Sequence, residues 1–146
     1  MSNANWRAKC LAQLNAGSEV VDTSCGPIEF ARSGSPPFVI QLHGTPGGYD
    51  QSIPLGTPFL EAGMGSISVS RPGYLRTPID VGRTPAEQAD ALAALLDSLQ
   101  IEHVARCVRW WAVSNTLCSA SCRPHERIDP NLRGIRCLPY CDSCLE

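Results

Sequence analysis

A layered α/β sheet built on parallel crossovers is the fold class that this sequence predicts for its first 105 residues. Three observations carry it. Phe38-Val39-Ile40-Gln41-Leu42 is a nearly unbroken apolar run, as a strand buried on both faces requires. Ser66-Ile67-Ser68-Val69-Ser70 alternates and makes a second strand. A capped, striped helix over Thr84–Leu99 then separates that strand from another beginning at Ile101–Ala105. Strand, helix, strand, helix, strand is the order that packs helices on a mostly parallel sheet.

Taken in order, the elements begin with a short helix from Trp6 to Leu14, stopped by Asn15-Ala16-Gly17. Ser18–Thr23 and Pro27–Ala31 are β-prone runs joined by Ser24-Cys25-Gly26, which suits a hairpin. The turn residues Gly34-Ser35-Pro36-Pro37 introduce the buried strand, and Pro54 to Gly63 accommodates one short helix before the alternating strand. Thr84-Pro85-Ala86-Glu87 is a capping box with proline at the first helical position, where its missing N–H costs nothing. Ala89, Leu92, Ala93, Leu96 and Leu99 recur at three- and four-residue steps and predict the buried stripe, with Glu87, Asp90 and Asp97 outside it.

The chain has 146 residues, 43% of them hydrophobic, which is enough for one core that folds alone. A net charge of −2 excludes a generic nucleic-acid binder, which needs a basic surface. No apolar run approaches the roughly 18 residues of a spanning helix. Met1–Gly17 has no continuous apolar stretch of the signal-peptide kind. A cytoplasmic protein without membrane contact is therefore expected, and no residue pattern before residue 106 calls for a cofactor.

Composition changes abruptly after Ala105. Only Cys10 and Cys25 of the eight cysteines precede that point; the last 41 residues hold the other six, with Trp110 and Trp111 and six of the eleven arginines. Two segments follow: residues 1–105, and a Cys/Arg-rich tail over 106–146 that Pro124, Pro130, Gly134 and Pro139 keep irregular. Arginine outnumbers lysine eleven to one, which indicates G/C-rich codons.

His43-Gly44-Thr45-Pro46-Gly47-Gly48 follows the buried strand directly. Ligands of open α/β sheets bind beyond the carboxyl ends of the strands, and glycines there let backbone amides approach a substrate and stabilise an oxyanion. From these residues alone, a tight turn with a packed histidine fits equally well.

This stretch resembles the His-Gly-x-Pro oxyanion loop of the α/β-hydrolases. Ser70-Arg71-Pro72-Gly73-Tyr74-Leu75-Arg76-Thr77-Pro78 is similar to the Asp-x-Pro-Gly-x-Gly-x-Ser segment after their fourth strand, with Ser70 in place of Asp and Leu75 in place of Gly. The resemblance covers about residues 18 to 105. It implies an incomplete α/β-hydrolase sheet, a lineage of ester- or amide-type hydrolases acting on small molecules, the Thr45 amide as an oxyanion donor, and a structural His43 that pins the loop. It also implies that Arg71, Tyr74 and Arg76 line the region of the active site.

The family also requires a nucleophile on a Gly-x-Ser-x-Gly elbow, followed by an acid and a histidine. Where the elbow belongs, the chain reads Arg106-Cys107-Val108-Arg109-Trp110-Trp111-Ala112, with neither glycine. No nucleophile, acid or base is identifiable, and a truncated, inactive protein is expected. Without the elbow strand, the edge at Phe38-Val39-Ile40 is expected to be bare and prone to aggregation. The genetic code suggests how the elbow was lost. Trp is encoded only by TGG, and a one-nucleotide shift across Trp110-Trp111-Ala112 forces two glycine codons; the preceding shifted codons permit Gly-[Val/Ala]-Ser-[Gly/Ala]. The alternative is a non-enzymatic binding module. Cys118-x3-Cys122 and Cys137-x3-Cys141-x2-Cys144, with His125 between them, would then hold zinc.

Overall fold

The structure is a computed structural model and describes residues 3–45, 47–102 and 104–109. Helix α1 (Asn3–Ala16) leads into strands β1 (Glu19–Thr23) and β2 (Gly26–Ser33). Then come β3 (Phe38–Leu42), α2 (Tyr49–Glu61), β4 (Gly65–Val69), a 3-10 turn at Ile79–Val81, α3 (Pro85–Ser98) and β5 (Val104–Arg109). The five strands form one sheet in the order β1-β2-β4-β3-β5. The hairpin β1–β2 is antiparallel and joins β4 antiparallel, whereas β3 runs parallel to both β4 and β5. This is the parallel-crossover sheet that the sequence predicts, with an antiparallel hairpin at one side.

Every residue of β3 and β4 is buried, so both strands are covered on two faces. Alternation sorts their side chains. Phe38, Ile40, Leu42, Ile67 and Val69 join Ile28, Phe30, Val81 and the α3 residues Ala91, Leu95 and Leu96 in the apolar core. Gln41 and Ser66 lie beneath Gly56 of α2, on the other side of the sheet. The serines of Ser66-Ile67-Ser68-Val69-Ser70 are thus not a solvent face. All three are buried.

Helix α3 has the predicted cap. Thr84 Oγ1 accepts the Glu87 amide at 3.3 Å, and a Glu87 carboxylate oxygen accepts the Thr84 amide at 2.8 Å. Its buried face differs from the predicted stripe: Ala89, Ala91, Ala94, Leu95 and Leu96 are buried, while Leu92, Ala93 and Leu99 are half-exposed. Alanines at 91 and 94 let the helix lie close to the sheet, so the seam centres on Ala91 and Leu95.

Two boundaries also differ. Helix α2 starts at Tyr49 rather than at Pro54, and it keeps Pro54 and Pro58 inside. Each proline removes an intrahelical hydrogen bond, but Tyr49, Ser52 and Gly56 are buried against the sheet, and tertiary packing outweighs the local cost. Strand β5 continues past Ala105 to Arg109, pairing Arg106, Cys107, Val108 and Arg109 with Val39, Ile40, Gln41 and Leu42. The register slips by one residue between Phe38 and Val39. The expected bare edge of β3 is therefore covered, because ladder bonds use backbone groups that every one of these residues carries. The boundary placed at residue 105 falls within this strand. Trp110 and the residues beyond it, with all the cysteines proposed to hold zinc, lie outside the described residues. No helix among the described residues is long and apolar enough to cross a membrane.

Candidate active site at the carboxyl ends of the parallel strands

Strands β3 and β4 end side by side, and the loops that leave them meet at His43. The His43 ring is fully buried. Its Nε2 accepts the backbone N–H of Arg71 at 3.0 Å, and its Nδ1 lies 2.7 Å from the Gly44 carbonyl. Because a backbone N–H only donates, Nε2 must be the bare nitrogen, and Nδ1 carries the proton that goes to Gly44. Burial pushes the imidazole below its ordinary pKa; the Gly44 carbonyl opposes this, the Arg71 charge adds to it, and Asp50 opposes it. The Tyr74 ring stands edge-on at 4.6 Å. With both nitrogens engaged and no face open, this imidazole holds two loops together and has no free nitrogen to serve as a base.

Beyond His43, Gly44 is buried and Thr45 is exposed. The Thr45 amide has no hydrogen-bond partner among the described residues. Pro46 lies outside them. A Cβ on Gly47 would stand 2.6 Å from Gln51 Cδ and 3.0 Å from His43 Nδ1, so a side chain there would have to displace the exposed Gln51 carboxamide. Gly48 caps α2, and the first helical amide, that of Tyr49, donates to Ser70 Oγ at 3.0 Å.

The loop after β4 is two linked turns. Tyr74 N–H donates to the Arg71 carbonyl at 3.0 Å, with Pro72 and then Gly73 at φ +87° between them, as a type II turn requires. Thr77 N–H closes back on the Tyr74 carbonyl at 3.0 Å across Leu75, which has φ +47°. The family resemblance expects glycine at that position, and leucine adopts its backbone conformation all the same.

The three loop residues predicted to line the site are placed differently from one another. Tyr74 packs on His43. Arg71 directs its guanidinium across to α3, where Nε and Nη2 both donate to Gln88 Oε1 at 3.3 and 3.2 Å. Arg76 turns away from His43. Its Nε meets Glu29 Oε1 at 2.8 Å, and its Nη2 reaches Ser18 and the Asn15 carbonyl.

Sequence reasoning missed Glu29, which is 1% exposed at the centre of β2. Its carboxylate also accepts the hydroxyls of Ser18 at 2.7 Å and Ser70 at 2.9 Å, and the amide of Arg76 at 3.1 Å. Burial alone would raise its pKa, but the bonds from Arg76, Ser18 and Ser70 together leave it below the ordinary value. An acidic residue inside the apolar run Pro27–Ala31 was the available signal. Ser70, noted as a departure from aspartate, accepts from Tyr49 and donates to Glu29. A carboxylate at position 70 would instead face a second buried carboxylate. Among the described residues, no group of three or more His, Cys, Asp or Glu side chains could hold a metal ion.

This sheet order, with a glycine-rich loop after β3 and a Pro-Gly loop after β4, is that of the α/β-hydrolase fold, and the described residues form the N-terminal part of that fold. It is similar to an α/β-hydrolase fold protein from Nakamurella multipartita, with 32% identity and a TM-score of 0.68 over 76% of this chain and 38% of that one. An epoxide hydrolase from an endophytic Streptomyces superposes with a TM-score of 0.61 at 21% identity, covering 76% of this chain and 34% of that one. In sequence, the uncharacterized hydrolase YcgS of Bacillus subtilis is 31% identical over 86 residues, which are 59% of this chain and 30% of that protein. The chain thus spans well under half the length of these relatives. No protein-family model matches it.

Proposed function

We propose that this chain is a fragment of a hydrolase lineage that keeps an oxyanion loop and lacks a nucleophile elbow, and that it does not turn over substrate. The observation that carries the reading is the sequence at the end of β5. That strand is the parallel neighbour of β3, so the residues leaving it must supply the nucleophile facing the Thr45 amide. They read Arg109-Trp110-Trp111-Ala112, which offers neither a glycine for the sharp turn nor a serine on it. The Thr45 amide, without a hydrogen-bond partner among the described residues, and the pinned His43 support an oxyanion role for the loop, with backbone N–H groups held ready for a developing negative charge. The hydrolase names of the relatives support a small-molecule substrate for the lineage, and a cytoplasmic location is part of the same reading.

A shift of reading frame near codon 105 is the cause we assign to the missing elbow. The composition break and the two glycine codons forced by Trp110-Trp111-Ala112 support it. Two measurements test the proposal. The purified chain is expected neither to hydrolyse a p-nitrophenyl ester nor to be labelled by a serine-directed fluorophosphonate; stoichiometric labelling would overturn the inactive reading. The nucleotide sequence around codons 100 to 115 should continue as a hydrolase in a shifted frame. An early stop in both alternative frames would remove the frame argument.

A further inference from the structure

Two chains of hydrogen bonds leave the buried Glu29 carboxylate and end on neighbouring carbonyls of α1. Along the first, Glu29 Oε2 accepts the Ser70 hydroxyl at 2.9 Å and Ser70 Oγ accepts the Tyr49 amide at 3.0 Å. The Tyr49 phenol then donates to the Leu14 carbonyl at 2.5 Å. Along the second, Glu29 Oε1 accepts Arg76 Nε at 2.8 Å, and Arg76 Nη2 donates to the Asn15 carbonyl at 3.3 Å and the Ser18 carbonyl at 2.9 Å. Leu14 and Asn15 lie in the last turn of α1, where carbonyls have no intrahelical donor to meet. That turn holds no basic residue of its own, and the Arg76 guanidinium supplies the positive charge that the carboxyl end of a helix favours. Gly17 lets the phenol come this close, since a Cβ there would stand 2.5 Å from its oxygen.

The first chain also holds the glycine-rich loop. Tyr49 is the residue at which Gly47-Gly48 passes into α2, so the bond that fixes its amide fixes the end of that loop. We propose that α1 is a strap with Glu29 as its latch, so that the carboxyl end of α1 and the glycine-rich loop seat and unseat together through Ser70, Tyr49 and Arg76. Burial makes the coupling stiff. Glu29, Ser70 and Tyr49 are 1%, 0% and 2% exposed, so water cannot replace a broken link without opening the structure around it. Farther up the helix, residues 5–9 are exposed and Trp6 and Leu11 are 62% and 51% accessible, so the seating of α1 depends on this end. Unseating the strap withdraws the acceptors of the Tyr49 phenol and of Arg76 Nη2, and the loop loses its fixed end. Linkage makes the effect reciprocal: a loop held rigid also holds α1.

The inference rests on the proposed reading only for the loop's role as an oxyanion loop, and its test does not use turnover. Amide hydrogen exchange, followed by NMR on the full chain, provides it, with the Ile40 and Ile67 amides of β3 and β4 as the internal reference. Ser70→Ala cuts the chain on the loop side and should speed exchange at residues 12–16 of α1 at least about tenfold relative to that reference. Arg76→Gln cuts the other chain beside α1 and should speed exchange of the Tyr49 amide by about the same factor. Effects confined to the loop in Ser70→Ala and to α1 in Arg76→Gln overturn the inference. The unsubstituted chain gives a second reading that holds even if a variant unfolds. In urea well below the unfolding midpoint, residues 12–16 and Tyr49 should exchange through one shared opening, at lower free energy than Ile40 and Ile67. Two separate openings overturn the inference. A shared opening in a chain that a fluorophosphonate labels would sink only the inactive reading; separate openings in an unlabelled chain would sink only the strap.

Discussion

His43 Nε2 accepts the Arg71 amide at 3.0 Å, and this one bond joins the loop after β3 to the loop after β4. The two residues are 28 positions apart in sequence, and their strands are neighbours in the sheet. Removing the imidazole leaves a buried amide unpaired, frees the Gly44 carbonyl, and opens space beside Tyr74. His43→Ala should therefore destabilise the domain by about 2–4 kcal/mol, from an unsatisfied donor plus a cavity. Urea unfolding followed by far-UV circular dichroism measures this. A loss below about 0.5 kcal/mol would show that the ring is not holding the loops together.

The same ring predicts a direction for pH dependence. Its folded-state pKa is depressed by burial below the ordinary 6.5. Between the depressed value and 6.5, the unfolded chain binds a proton that the folded chain refuses. Stability then rises with pH across that window and is lost as pH falls below about 6.5, by at most about 1.4 kcal/mol per pH unit. Unfolding free energies measured at pH 7.5, 6.5 and 5.5 should decline in that order. His43→Gln should flatten the decline, whatever its effect at pH 7.5.

Glu29 acts in a lower window. Its folded pKa lies below the ordinary 4.5, so the stability it contributes is present above 4.5 and is lost as pH falls through the depressed value. Glu29→Gln keeps the shape but leaves Arg76 without its partner. Removing one member of a buried pair costs about 3–5 kcal/mol. The Arg76 side chain is 35% exposed, so water offsets part of this and about 2 kcal/mol is expected. Urea midpoints at pH 7 measure the loss. The variant should also be less sensitive to acid between pH 4.5 and 3 than the unsubstituted chain.

The sequence was most informative where local chemistry and tertiary structure agree. Phe38–Leu42 is a strand with the predicted bounds, and the Thr84–Glu87 box caps α3 as read. Failures fall where packing overrides local preference. Pro54 marked a helix start by the usual rule, yet α2 begins five residues earlier because Ser70 supplies a partner for its first amide and the sheet buries its face. Arg106-Cys107-Val108-Arg109 falls in the segment that the sequence assigns to the irregular tail, yet its backbone extends the ladder on β3. At the site, the two loops were legible as motifs. The Glu29 network was not, because its members are scattered from Ser18 to Arg76 and only folding brings them together.

Leu75 offers a test of strain that the sequence itself announced. A non-glycine residue at φ +47° costs about 1–2 kcal/mol, and asparagine tolerates this region better than leucine. The side chain is 46% exposed, so little burial is forfeited by replacing it. Leu75→Asn should raise stability by about 0.5–1 kcal/mol, whereas Leu75→Ala should give no gain. Thermal unfolding of the two variants in parallel separates relief of strain from simple removal of an exposed apolar group.

Gly56 carries the opposite expectation. In an exposed helix, replacing glycine by alanine gains about 1 kcal/mol. Here a Cβ would lie 2.6 Å from Ser66 Oγ and 2.8 Å from Gln41 Nε2, both on buried side chains. Among the described residues Gln41 Nε2 already lacks a hydrogen-bond partner, so a methyl group pressed against it offers no compensation. Overpacking of this kind costs about 1–3 kcal/mol and should outweigh the helical gain, leaving Gly56→Ala less stable by about 1 kcal/mol. The double variant Gly56→Ala with Ser66→Gly removes the nearer obstacle and should recover part of the loss. If Gly56→Ala instead stabilises the chain, α2 stands farther from β3 and β4 than the structure places it, and the polar face of the sheet is not closed by that helix.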